Sequence, residues 1–101
     1  MSVSFDYDGS SQELTIRVDG RFDFSQHAAF REAYENGTKD VNRYIIDLRD
    51  ASYLDSSALG MLLLLRDFAG GNEADITISN CNDDVKKVFT ISNFESLFSI
   101  L

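Results

Sequence analysis

Ile45-Ile46-Asp47-Leu48-Arg49-Asp50-Ala51-Ser52-Tyr53-Leu54-Asp55-Ser56-Ser57-Ala58-Leu59-Gly60 is the stretch on which the reading of this chain turns. The near-continuous apolar run at Tyr44, Ile45 and Ile46 predicts a central strand over Arg43 to Leu48, covered on both faces. A loop from Arg49 to Leu54 comes next. It delivers two serines to the start of a helix running from about Ser56 to Ala69, which Gly70-Gly71 ends. Asp55 is placed as the N-cap, so Ser56 and Ser57 occupy the first two helical positions. Unpaired backbone N–H groups and the positive end of the helix dipole lie there, and a phosphate on Ser56 could accept those hydrogen bonds. Such a phosphate would also stand close to the Asp55 carboxylate. The same residues equally make an ordinary helix start.

Upstream, Val3, Phe5 and Tyr7 alternate with Ser4, Asp6 and Asp8. After the turn residues Asp8-Gly9-Ser10-Ser11, Leu14, Ile16 and Val18 resume the alternation, so an antiparallel hairpin is expected. The period then changes. Ala29, Phe30, Ala33 and Tyr34 mark one face of a helix from Ser25 to Asn36, capped by Asp23 or Ser25 and closed by Asn36-Gly37. Downstream, a strand is expected over Asp75 to Ser79. A short helix carrying Val85, Val88 and Phe89 should come after caps in Asn80 to Asp84. Phe94, Leu97, Phe98 and Leu101 stand at i, i+3, i+4 and i+7, the pattern of a closing amphipathic helix. The expected whole is a small α/β domain spanning residues 1–101, a mixed four-stranded sheet packed with about four helices. Its first strand is antiparallel and the others are parallel through right-handed crossovers.

The composition narrows the function. Of 101 residues, 17 are acidic and 9 basic, a net charge of −8 that disfavours nucleic acid and direct membrane binding. The single cysteine, Cys81, can make neither an internal disulfide nor a cysteine-based metal site. The longest apolar run, Ala58 to Leu65, is too short for a membrane span, and the first residues lack the features of a secretion signal; a cytoplasmic protein is expected. His27 has no serine or cysteine spaced to form a triad. The pairs Asp83-Asp84 and Asp6-Asp8 lack calcium-loop spacing, and Gly70-Gly71 is not followed by the Lys-Ser/Thr of a nucleotide loop. Asp19, Asp23 and Lys86-Lys87 fall in the wrong elements for a phosphoaspartate receiver domain. No catalytic set or cofactor is therefore expected.

Met61, Leu62, Leu63, Leu64 and Leu65 are consecutive, so apolar groups surround the helix axis, although docking on a sheet needs only a stripe. The excess is either covered by the closing helix or left for a partner.

Leu54-Asp55-Ser56-Ser57-Ala58-Leu59-Gly60, after the strand Ile45-Ile46-Asp47-Leu48, resembles the central motif of the STAS family, the bacterial anti-sigma factor antagonists. Gly20-Arg21-Phe22-Asp23 resembles the family's segment between second strand and first helix, and the likeness runs over essentially the whole chain. Ala58 stands where the family frequently has glycine. The resemblance implies that Ser56 is the phosphoacceptor of a partner kinase, often the anti-sigma factor itself, and that a phosphatase resets it. Asp23, Asp55, Ser57, Ala58, Leu59, Met61 and Leu62 would then form the partner-binding surface around it. It also admits an alternative, a constitutive STAS subunit of a transporter or sensory complex with no phosphoswitch.

Overall fold

The computed structural model describes residues 2–35 and 40–101. Strand β1 (Ser2–Asp8) pairs antiparallel with β2 (Glu13–Phe22), as the alternation predicts. Helix α1 spans His27–Glu35, β3 Arg43–Asp47, β4 Ala51–Leu54, α2 Ser56–Ala69, β5 Ile76–Ser79, α3 Asp83–Ile91 and β6 Ser99–Ile100. The sheet runs β1-β2-β3-β5-β6, with β4 added beside β2, and every pairing after the first hairpin is parallel. The α/β class and the antiparallel first strand are therefore as expected, whereas the element counts are not: six strands and three α-helices lie among the described residues.

Two strands account for the difference. The expected loop from Arg49 to Leu54 contains β4, whose burial runs buried, exposed, exposed, buried, so it carries no alternation for a sequence reading to find. It exists because β2 is long enough to change partners. Residues Glu13–Arg17 pair with β3, and Gly20–Phe22 pair with β4 after a register shift at Gly20/Arg21. Gly20 has φ of +79°, a left-handed conformation natural to glycine, and its N–H donates to the Asp50 carbonyl.

The expected closing helix is a single 3-10 turn, Phe94–Ser96, followed by β6. Ser99 and Ile100 pair with Thr77 and Ile78 along the edge of β5, and the Leu101 N–H donates to the Ile78 carbonyl. The open backbone groups of β5 compete successfully with intrahelical bonds over so short a tail. Of the four residues in the expected stripe only Phe94 and Phe98 are buried, in a stack on Phe89 of α3 with centroids 5.8 and 5.4 Å apart. Leu97 and Leu101 are exposed.

The core occupies one face of the sheet. Registers align Leu14, Tyr44 and Ile76 in one row and Ile16, Ile46 and Ile78 in the next, all buried. Phe30, Ala33, Tyr34, Met61, Leu62, Leu65, Val85 and Phe89 pack over them from the helices. Strand β3 is thus not covered equally on both faces: Ile45 and Asp47 on the other side are only half-buried. The first helix also differs at its start, where a 3-10 turn, Phe24–Gln26, precedes α1. The expected closure at Asn36-Gly37 lies outside the described residues.

Candidate functional site

Parallel pairing of β2 with β4 builds the site. The register sets Phe22 beside Leu54, both buried, so the next residues, Asp23 and Asp55, leave the sheet side by side. The carboxyl ends of parallel strands are where α/β folds present functional groups. Each aspartate then caps the helical turn that it opens. The Asp55 Oδ1 accepts the N–H of Ser57 at 3.0 Å and of Ala58 at 3.2 Å. Asp23 Oδ1 accepts the Ser25 N–H at 3.0 Å. The cap expected at Asp55 is therefore present, and of the two candidates for the first helix Asp23 is the cap.

The two serines have different roles. The Ser57 hydroxyl donates to Asp55 Oδ1 at 2.6 Å and is half-buried, tied into the cap. Ser56 is exposed, and among the described residues no hydrogen bond holds its hydroxyl. One serine is used in building the turn; the hydroxyl of the other is exposed.

The Ser57 hydroxyl first, and then the Ala58 and Ser57 backbone amides, hold the Asp55 carboxyl below the usual carboxylate range, against opposing pushes from desolvation and, more weakly, from the charge of Asp23. The Ser25 hydroxyl and amide, with a smaller contribution from Arg21, depress Asp23 similarly. The corner thus carries two ionised carboxylates. Arg21 answers them in part, with Nε 3.3 Å from Asp23 Oδ2 and its guanidinium 4.2 Å above the Tyr53 ring. Gln26, buried, donates its amide to the Arg21 carbonyl and ties the β2 end to the turn.

The structure sorts the expected docking residues. Asp23, Asp55, Ser56 and Ser57 converge at this corner, and Leu59 is half-buried next to it. Ala58, Met61 and Leu62 do not belong to a surface: they are 0%, 3% and 0% exposed, pointing into the core because α2 lays that stripe on the sheet. The surface of α2 carries Leu63, Leu64 and Phe68 instead. The closing segment stacks on α3 and leaves Leu63 and Leu64 uncovered. Exposed Tyr53 and Phe24 add aromatic area, and a groove of about 190 Å³ between β4 and α3 is lined by Ser52, Tyr53, Leu54, Asp84, Val85 and Val88. Tyr53 and Arg21 escaped the sequence reading because their juxtaposition depends on β4 being a strand. Among the described residues no helix is long and apolar enough to cross a membrane.

Comparison with known proteins agrees with this geometry. The STAS domain profile matches residues 4–101. A STAS-domain containing protein of Pseudomonas aeruginosa (strain UCBPP-PA14) is 61% identical over 89 residues, 88% of each chain. The unphosphorylated anti-sigma factor antagonist SpoIIAA superposes with a TM-score of 0.71 at 16% identity, over 99% of this chain and 87% of that one. A sulfate transporter family protein of Wolinella succinogenes gives a TM-score of 0.74 at 14% identity, over 89% and 79%. At such identities these two structures speak to the fold alone.

Proposed function

This chain belongs to the STAS domain family, and from that membership we propose that it is a phosphorylation-gated anti-sigma factor antagonist. In its unmodified form it binds an anti-sigma factor of the serine-kinase type; phosphorylation of Ser56 releases that partner, and a phosphatase restores binding. STAS domains are regulatory and interaction modules, and no cofactor enters this reading. It acts in the cytoplasm, on a protein partner and not on nucleic acid or a membrane surface.

The observation that carries the proposal is the division of labour between the serines: Ser57 holds the cap, while Ser56 is exposed at the first turn of α2. A phosphate there faces the amide end of the helix and two carboxylates, Asp55 and Asp23. The docking surface comprises Asp23, Asp55, Ser57 and Leu59 with Tyr53 and Leu63. Driving binding from 99:1 to 1:99 requires about 5.5 kcal/mol of differential affinity. A dianion desolvated against an apolar surface that already carries two carboxylates supplies energy on the order of several kcal/mol.

The test is phosphorylation with ATP in native cell extract, phosphate mapping by mass spectrometry, and pull-down with Ser56→Ala and Ser56→Asp. Ser56→Ala is expected to hold its partner with or without ATP, and Ser56→Asp to hold it poorly. Equal retention by both variants refutes gating at this residue. A second reading, a constitutive STAS subunit of a transporter or sensory complex, is compatible with the same family membership. It predicts no phosphate in protein taken from its native cells and co-purification with a membrane transporter.

A further inference from the structure

Strand β1 is an open sheet edge, and we propose that it pairs antiparallel with β1 of a second copy of this chain, joining two sheets across a two-fold axis at Phe5. Among the described residues no strand pairs with the outer side of β1, which runs for seven residues. Long open edges are normally blunted by charges, bulges or proline. Here the odd-numbered residues Val3, Phe5 and Tyr7 share the helix-covered face with Val18, Ile16 and Leu14. Phe5 and Tyr7 remain 47% and 37% exposed. The acidic residues that could guard the edge lie on the opposite face and are already engaged. Asp6 forms an ion pair with Arg17 at 2.8 Å, and Asp8 Oδ1 accepts both the Ser10 N–H and its hydroxyl.

Self-pairing is selective in register. A two-fold axis perpendicular to the sheet keeps the helix faces of both copies on one side, so the axis must pass through a residue and not between two. With the axis at Asp6, two carboxylates would face each other. With the axis at Phe5, Phe5 meets the partner's Phe5, Tyr7 meets the partner's Val3, and Asp6 meets the partner's Ser4. Ser4 is opposite Arg17 within its own sheet, so Arg17, Ser4 and the partner's Asp6 form one row, with the cation at one end and the carboxylate at the other. On the helix face, Ile16 and Phe5 continue into the partner's Phe5 and Ile16. In this register the strand is complementary to itself in polarity and sets each Asp6 opposite a serine and not a second carboxylate, and this marks a second copy as its occupant.

Cysteine pairing and sedimentation test it in a Cys81→Ser background, since Cys81 is the only native thiol. Residues facing each other across an antiparallel pair have Cα atoms about 4.5–5.5 Å apart, within disulfide reach. Phe5→Cys should therefore cross-link under mild oxidation. In Asp6→Cys the two thiols are diagonal neighbours about 7–8 Å apart and should cross-link far more slowly. The chain without added cysteines should sediment at twice the 11.3 kDa monomer mass as concentration rises, and added salt should favour the dimer by screening two charges of −8. Phe5→Glu should remain monomeric with an unchanged fold by circular dichroism, because the side chain is half exposed. A monomer at every concentration overturns the proposal, as does cross-linking of Asp6→Cys as fast as that of Phe5→Cys. Capture of the edge by a foreign strand would produce the first of these results.

Discussion

Replacing Asp55 by alanine removes three hydrogen bonds at once: those from the Ser57 and Ala58 amides and from the Ser57 hydroxyl. Loss of an aspartate N-cap costs about 1–2 kcal/mol. In a domain of this size that corresponds to a fall in Tm of roughly 5–15 °C. Asp55→Asn keeps a side-chain oxygen for the amides and should fall by only a few tenths of a kcal/mol at neutral pH, on the order expected among good caps.

The two variants also differ in pH dependence. Because the native state holds the Asp55 carboxyl below its unfolded value, chiefly through the Ser57 hydroxyl, its contribution is complete above the unfolded pKa of about 3.9. It disappears as pH falls through the lower folded pKa. The gap between wild type and Asp55→Ala should therefore be widest near neutrality and close in acid. Asp8 and Asp23 are depressed too and lose stability in the same direction, so the comparison is between variants at each pH and not along one curve. Thermal melts followed by circular dichroism at neutral pH and near pH 3 measure it. Should Asp55→Ala melt with wild type at neutral pH, the cap does not hold this corner and the roles assigned to the serines lose their basis.

Two further substitutions probe the surrounding structure. Ser57→Ala deletes the 2.6 Å bond to Asp55 and should cost about 1–2 kcal/mol by urea titration, while Ser56→Ala should stay within about 0.5 kcal/mol of wild type; equal losses would contradict the division between them. Phe98→Ala opens a cavity beside Phe94 and should cost about 3–5 kcal/mol, whereas Leu101→Ala at an exposed position should cost little; a small loss at Phe98 would mean that the closing segment does not pack as described.

Features written in local chemistry were legible in the sequence. The hairpin alternation, the Asp55 cap and the α2 span each depend on residues a few positions apart, and each is found where its spacing placed it. Strand β4 and strand β6 were not legible. Each exists because a distant strand offers open backbone groups, β2 beyond Gly20 in one case and the edge of β5 in the other. The same limit applied to the α2 surface. A run of five apolar residues says that some must face outward, but only docking on the sheet decides that Met61, Leu62 and Leu65 go in and Leu63 and Leu64 stay out.

By itself, then, the sequence determined the α/β class, the serine turn and the STAS family likeness, because periodicity and capping are short-range physics. Only the tertiary structure decided that Asp23 stands beside Asp55 and that Arg21 lies over Tyr53. Those relations arise from the register between strands some thirty residues apart, which hydrogen-bond geometry sets and no local pattern encodes.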